Sequence, residues 1–413
     1  MIFDQNYRPG DVNIESVVIV SERGSIDLLG SVESMSVYES IFTPGIVCDI
    51  RVLDMNDLLG TVRLIGDETV SIVFEVLGSE TAAYVFALHE LAELESVGAQ
   101  KGKSYTLKCV SEEAMHAKTN TIQKSYNLLC SEMIGDIHRN YLRSTKELVT
   151  ESSSAPQRIV IPSMNPYDAI SLIKRRAVSA DRNSSLYCYF ENRQNQQQTF
   201  NFVTIESLFD TDPVKDFQMS DAVNLTIRAR GDDNILAFRV PHQFNSADRI
   251  AYGGPRRITT FNFTTWDFDS QIIQTSDATL GNVGGRGAFN SQAFQNRYFN
   301  NDNPPQSMIP VDISQRPSTQ IPEATPNTQA MLALMLQNAI RIRVIGDTIL
   351  TAGVTINCEL PNRQSFTDGG QTDPLISGKI LITRIHHKIA KASERPRYTC
   401  VVEGIKGRYE DSL

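Results

Sequence analysis

Residues 15–54 alternate between apolar and small polar side chains, and this period of two predicts β-strands. In the run SVESMSVYESIF, one face of the strand carries Met35, Val37 and Ile41, and the other carries Ser34, Ser36, Tyr38 and Ser40. A Thr-Pro-Gly turn at 43–45 then leads into IVCDIRVLD, where Asp49 and Arg51 lie opposite the apolar positions. The pattern predicts a long hairpin with one apolar face and one polar face. Glu33 and Glu39 fall on the apolar side, near its ends.

Three more strands, predicted at residues 69–77, 84–94 and 105–110, complete a first β domain over residues 1–110. Ser111 and the two glutamates after it then signal a helix start, and apolar residues at spacings of three and four predict one amphipathic helix over 122–141. A further helix is predicted after Asn165, which suits the N-cap, with Pro166 at the first helical position. The strand pair SLYCYFE and TFNFVT completes a small α+β domain over residues 111–215.

The β pattern returns in the second half of the chain. RIAY and RRITTFNFTTWDF, joined by a Gly-Gly-Pro turn at 253–255, predict a second hairpin. A short helix, a Gly-Asp-Thr strand, a long strand and RYTCVVEG follow. We therefore expect a second β domain over residues 216–269 and 327–413. The intervening residues 270–326 are rich in Gly, Asn, Gln, Ser and Pro, which predicts a polar insertion or arm.

The same order of patterns therefore occurs twice. In both halves a hairpin with a Gly/Pro turn is followed by a Gly-Asp strand, a long strand and a Tyr-Thr strand. Two copies of this size indicate a duplicated domain rather than a solenoid. The alternative is a chance similarity between short β patterns.

Composition and charge narrow the classes of function. The chain has 413 residues, 41% of them hydrophobic and 21% charged, which suits a folded protein of several domains. No run is apolar and long enough for a membrane span, and the first residues do not resemble a secretory signal. The six cysteines are scattered and lack CxxC spacing, which predicts reduced, buried thiols in a protein that is made in a cytosol.

The net charge of −9 lies in the first domain. Residues 1–110 contain 17 acidic against 7 basic residues, and the remainder contains 31 against 32. This acidity either serves solubility or has a functional role. No basic face is visible in the sequence, so we expect no nucleic-acid binder.

No candidate catalytic, cofactor or metal site is found. His386 and His387 are adjacent in a predicted strand, so they point to opposite faces, and the other four histidines lack ligand spacing. The glycine-rich segment 281–287 has no strand before it and no helix after it, which favours a loop over a phosphate site. We therefore expect no enzyme.

Two runs carry a family resemblance. IPSMNPYDAISLIKRRAVS…SLYCYFENR and GDTILTAGVTINCELP…DPLISGKILITRIHHKI…YTCVVEGIKGR, with the strand order before them, resemble the central hub protein of contractile phage tail baseplates. The resemblance implies an α+β, mainly β chain with two similar tube-type β-barrel domains. It further implies a homotrimer that forms a pseudo-hexameric ring between the six-fold tail tube and the three-fold central spike.

The partners that follow from this resemblance are the spike protein and the tube-initiating and baseplate wedge proteins. The resemblance also implies that the protein is located in the virion after assembly in the bacterial cytoplasm. DNA would pass through the ring without specific binding. A basic lumen would slow DNA, so we expect the polar face with Ser34, Ser36, Ser40 and Asp49 to line the channel. The isolated protein is expected not to bind DNA.

Two alternatives remain open at this point. A spike-base hub of a related contractile injection system would have the same fold. A carbohydrate-acting or carbohydrate-binding tail protein would need clustered exposed aromatic residues or a carboxylate pair in a cleft, and the sequence offers one tryptophan, Trp266.

Overall fold

Strands that alternate buried and exposed side chains build most of the part of the chain that the computed structural model describes. The structure describes residues 9–22, 24–61, 64–76, 79–97, 102–181, 186–194, 196–219, 233–241, 255–262, 265–273, 297–298, 303–311, 328, 339–361, 372–373, 376–391 and 396–406. The chain is mainly β with antiparallel sheets and few helices, so the expected α+β, mainly β class is confirmed.

The first part of the chain is almost entirely strand. Its elements are β1 (Val12–Ser21), β2 (Gly24–Asp27), β3 (Val32–Ser40), β4 (Val47–Asp54), the short α1 (Leu58–Thr61), β5 (Thr69–Val76), β6 (Ala82–Val97) and β7 (Gly102–Val110). The predicted hairpin is present as β3 and β4, and the three later strands are present as β5, β6 and β7.

The α+β part follows at residue 112. Its elements are α2 (Glu112–Thr119), β8 (Ile122–Leu128), α3 (Cys130–Asn140), β9 (Leu148–Thr150), β10 (Gln157–Met164), α4 (Pro166–Lys174), β11 (Tyr187–Gln194), β12 (Gln197–Thr204) and α5 (Ile205–Phe209). The predicted cap is confirmed, because the Asn165 side chain accepts a hydrogen bond from the Tyr167 N–H. The predicted strand pair is confirmed as β11 and β12.

The single helix predicted over 122–141 is wrong in its first half. Residues 122–128 form β8, which pairs antiparallel with β10, and α3 begins only at Cys130. Ile122 and Tyr126 are the buried residues of β8. A spacing of four places two side chains on one side of a helix, but it is also an even number and places them on one face of a strand.

The last part of the chain contains β13 (Asp216–Gln218), β14 (Ile235–Arg239), β15 (Arg256–Asn262), β16 (Phe268–Ile273), β17 (Gln306–Val311), β18 (Ala339–Ile345), β19 (Thr355–Glu359), β20 (Gly378–Ala390) and β21 (Arg397–Lys406). The segments 249–254, which contain RIAY and two residues of the Gly-Gly-Pro turn, and 281–287 lie outside the described residues, as does nearly all of the helix predicted before β18.

One sheet of 13 strands contains the same strand order twice. The first module runs β3-β4-β7-β6-β5 and the second runs β14-β18-β21-β20-β19, with every neighbouring pair antiparallel. When the five strands of each module are numbered by their order in the chain, both modules place them side by side in the order first, second, fifth, fourth and third. The pairs β3/β14, β4/β18, β5/β19, β6/β20 and β7/β21 are therefore topological equivalents.

RRITTFNFTTWDF, predicted as the second strand of the hairpin in the second module, lies outside that module. It contains β15 and the start of β16, which pair with each other and form a separate three-stranded sheet with β17, and β14 with β18 takes the place equivalent to the first hairpin. The Ile272 and Met308 side chains on this small sheet are exposed. Two parts of the tract predicted as a polar insertion over 270–326, residues 270–273 and 306–311, are thus strand.

The two modules share one hydrophobic core. A single cluster of buried residues extends from Val12 to Ile405 across both modules, whereas the α+β part has its own cluster around Ile134 and Ile170. The β20–β21 hairpin joins the modules, because β20 pairs with β3, and Tyr398 near the start of β21 donates its N–H to the Gly10 carbonyl.

Candidate functional site

The polar face predicted from the sequence exists on the strands β3 and β4. Met35 and Val37 are buried, whereas Ser34, Ser36 and Ser40 are half-buried on the opposite side of the strand. Asp49 of β4 lies directly opposite Ser36 of β3 in the ladder, so its side chain is on the same side of the sheet. The structure therefore brings Ser34, Ser36, Ser40 and Asp49 to one face. We call the side of the sheet opposite the core the solvent face.

Glu33 and Glu39, both predicted on the apolar side, differ in burial. A β-bulge between Val32 and Ser34 interrupts the alternation and turns Glu33 out of the core, where its carboxylate lies 2.9 Å from the Arg51 guanidinium. Glu39 remains on the apolar side and is buried. Its carboxylate accepts hydrogen bonds from the Tyr84 hydroxyl at 3.0 Å and from the Ala352 N–H at 2.9 Å.

The strand beside β3 is β20, a pairing that the sequence did not predict. β20 pairs with β3 so that Arg384 is opposite Ser40, His386 is opposite Tyr38, and Lys388 is opposite Ser36. The Tyr38 and His386 rings stack at 4.3 Å. Two cations thus lie on the solvent face next to the serines. The face is not composed only of small and acidic residues, as the sequence had suggested.

Equivalent positions of the two modules carry opposite charges. On the first module Asp49, Lys108 and Glu90 lie in register across β4, β7 and β6. On the second module Arg341, Glu403 and Arg384 lie in register across β18, β21 and β20. A bulge directly precedes both Glu90 and Arg384, which supports the equivalence.

In each row the residues on the last two strands form an ion pair, and the acidic and basic partners are exchanged between the two modules. The Lys108 ammonium is 3.2 Å from the Glu90 carboxylate, and the Arg384 guanidinium is 3.3 Å from the Glu403 carboxylate. Partial burial raises the pKa of Asp49, an effect that Lys108 opposes and Glu93 reinforces. The first row is therefore acidic around one lysine, and the second is basic around one glutamate.

A buried ion-pair cluster lies on the core side of the turn between β3 and β4 and contacts it. The Lys146 ammonium is 2.8 Å from the Glu113 carboxylate and 2.6 Å from that of Glu191. Glu191 also accepts hydrogen bonds from the Ile46 N–H at 3.2 Å and from the Ser111 hydroxyl. The α+β part is thereby fastened to the hairpin that presents the polar face.

Among the described residues, no cluster of three or more His, Cys, Asp or Glu side chains is arranged to hold a metal ion. The six cysteines are free and buried. His386 and His387 point to opposite sides of β20, as predicted, with His387 buried. Within the part of the chain that the structure describes, no helix combines the length and apolarity needed to cross a bilayer.

No family model matches the chain, and no curated protein matches it in sequence. Solved structures do share its fold. The tail protein from Neisseria meningitidis MC58 superposes with a TM-score of 0.56 at 8% identity, over 95% of this chain and 96% of that one. The 43 kDa tail protein of prophage MuSo2 from Shewanella oneidensis gives 0.53 at 10% identity, over 95% and 98%. The chain therefore has the fold of these tail proteins.

Proposed function

We propose that the protein is a structural virion component, a homotrimeric baseplate hub that joins the six-fold tail tube to the three-fold central spike around a DNA channel. The observation that carries the proposal is the repeated strand order within one sheet. Three chains with two equivalent modules each present six similar units at one end of a three-fold assembly, which is what a symmetry adaptor needs.

The junction between the two modules suggests how protomers join. Residues 384–390 of β20 lie between β21 and β3, so the fourth strand of the second module pairs with the first strand of the first module. In the described part of the chain, residues 90–97 of β6 pair only with β7, and β14 pairs only with β18. Because β6 is equivalent to β20 and β14 to β3, pairing β6 of one protomer with β14 of the next repeats the same junction.

The exposure of these two edges supports this arrangement. Leu94 on β6 is 58% exposed, and Leu236 and Phe238 on β14 are 43% and 37% exposed. Unpaired edges with apolar side chains are sites for strand addition by another chain. Head-to-tail pairing of this kind closes into a ring when three copies turn through 120° each.

In such a ring the solvent face surrounds the axis, and Ser34, Ser36, Ser40 and Asp49 line the bore. The partners are the central spike protein on one side and the tube-initiating and baseplate wedge proteins on the other. DNA passes without sequence-specific binding. The protein resides in the tail baseplate of the virion and assembles in the host cytoplasm.

The experiment that tests the ring is electron microscopy of purified protein with variants at both edges. Leu94→Glu with Phe238→Glu places like charges across the proposed junction and should convert rings into single protomers. Val160→Glu is the matched control, since Val160 is 68% exposed on the α+β part. Circular dichroism shows whether each variant is folded. Particles without a central hole in the wild type, or rings that survive the double substitution, contradict the proposal.

A second candidate function has an observation of its own. Trp266 and Phe268 are 76% and 63% exposed on the small sheet of β15, β16 and β17, and the Phe261 ring lies 5.8 Å from Trp266 and 4.7 Å from Phe268. Exposed aromatic clusters mark binding surfaces. A carbohydrate-binding tail protein could stack sugars there. Wild-type binding to host surface glycan that is lost in Trp266→Ala, but kept in Tyr298→Ala, would favour this function.

A further inference from the structure

We propose that the second module's half of the solvent face is a lane of cations that contacts the phosphodiester backbone of double-stranded DNA. The inference rests on the proposed function, because it names what the channel wall touches. The lane, which we call the basic lane, consists of Arg239, Arg341, Arg343, Arg384 and Lys388.

Strand register places these side chains on one surface. Arg239 of β14 is opposite Arg341 of β18, and Arg341 is opposite Glu403 of β21, which is opposite Arg384 of β20. Arg343 and Lys388 lie two and four residues further along their strands, on the same side. Neighbouring strands are about 4.8 Å apart, so the five cations occupy a patch four strands wide.

Among the described residues, one carboxylate in this patch offsets the cations. Glu403 lies 3.7 Å from the Arg341 guanidinium and 3.3 Å from that of Arg384. Arg343 and Lys388 are exposed and form no ion pair with any other residue that the structure describes. The patch therefore has a surplus of four positive charges that face solvent.

The chemistry of the patch fits phosphate better than an acidic protein segment. Four of the five cations are arginines, whose planar fork matches two phosphate oxygens. Between them lie Thr399 and Val401, small side chains that are only half-buried and form no groove for apolar anchors. Contacts to the backbone with no base reading give affinity without sequence specificity.

The first module limits this affinity. Its half of the solvent face carries Asp49, Glu90 and Glu93 around Lys108, and these carboxylates repel phosphate. In the proposed ring, three sectors that attract phosphate alternate with three sectors that repel it around the bore. A duplex is then held near the axis and released easily. This revises the expectation, drawn from the sequence, that the isolated protein has no affinity for DNA.

The test is fluorescence anisotropy of a labelled 20-base-pair duplex with the purified full chain in 50 mM salt, repeated at rising salt. We expect binding that weakens with salt. Arg343→Gln with Lys388→Gln should weaken it about ten-fold and lower the salt slope by about two, since each phosphate contact contributes about 0.9. Arg158→Gln with Arg175→Gln removes the same charge from exposed positions on the α+β part and should leave binding unchanged.

Three results overturn the inference: no binding by the wild type, an equal loss in the control variant, or poly-glutamate competing as well as unlabelled duplex. The last result would assign the lane to an acidic protein instead. Native mass is measured on the same samples. Trimers that do not bind DNA refute the basic lane and leave the ring intact, whereas monomers refute the proposed function regardless of binding.

Discussion

His387 Nε2 lies 3.8 Å from Glu39 Oε1 in the core, at the place where both modules and the α+β part meet. Glu39 belongs to β3, His387 to β20, and Arg193, which acts on both electrostatically, to β11. The His387 Nδ1 shares a hydrogen bond of 2.7 Å with the Tyr398 hydroxyl. One buried polar cluster therefore links three parts of the chain.

The first prediction concerns pH. Burial raises the pKa of Glu39 from 4.5 to about 7, against the opposing effects of the Ala352 N–H, Arg193 and Tyr84. The folded chain thus keeps a proton that the unfolded chain releases, and the contribution of Glu39 to stability falls as pH rises from 4.5 to 7, by up to about 3 kcal/mol. Burial lowers the pKa of His387 to about 3, so its contribution is lost instead as pH falls below 6.5.

The two contributions offset each other between about pH 4.5 and pH 6.5, so the wild type should stay nearly level there. Glu39→Gln should leave only the His387 effect, and its stability should rise with pH over this range. The free energy of unfolding by urea, measured for both proteins at these pH values, gives the comparison. Parallel pH profiles for wild type and variant would show that Glu39 is not the group that titrates.

The second prediction concerns the ion-pair cluster beneath the β3–β4 turn. Lys146→Met leaves the buried carboxylates of Glu113 and Glu191 without their cation, which should cost about 3–5 kcal/mol of unfolding free energy. Lys124→Met is the control, because its ion pair with Asp136 is partly exposed and contributes about 0–1 kcal/mol. Equal losses in the two variants would contradict the structural role of Lys146.

The third prediction concerns the bore. Ser36 lies in register between Lys388 and Asp49, so a lysine there extends the basic lane toward the first module. Ser34→Lys with Ser36→Lys should leave the ring assembled but slow DNA release from particles, because each added cation binds phosphate. Ser34→Asn with Ser36→Asn should release DNA at the wild-type rate. Loss of the ring in the lysine variant would mean that these side chains lie against another subunit.

The fourth prediction concerns the small sheet. β15, β16 and β17 pair only with one another among the described strands, so replacing residues 256–311 with a short Gly/Ser linker should leave the main sheet folded. If the tract is a projecting arm, as we propose, the oligomer should be unchanged and docking of a baseplate or tube partner should be impaired. An unfolded product would show that the tract belongs to the core.

The local parts of this picture were predictable from the sequence. Alternation in β3 and β4 placed Ser36 and Asp49 on one face, and the cap at Asn165 marked the start of α4. Alternation also runs through TRIHHKI, so Arg384 and Lys388 could be assigned to one side of their strand.

The long-range parts were not predictable. Nothing in the sequence states that β20 lies beside β3, almost 350 residues earlier, and the basic lane arises from that pairing. The bulge that turns Glu33 outward is a departure from the period of two on which the assignment depended. The replacement of the predicted second hairpin by β14 and β18 likewise depends on pairings between distant segments.

The most direct test of the hub proposal is the native mass of the purified protein in solution, determined by native mass spectrometry. A protomer has a mass of 46.0 kDa. The proposed head-to-tail pairing of β6 with β14 closes after three copies, so we predict a species near three times that mass, reduced to the single protomer by Leu94→Glu with Phe238→Glu. A wild-type protein that remains at 46.0 kDa, or forms a dimer, would contradict the account.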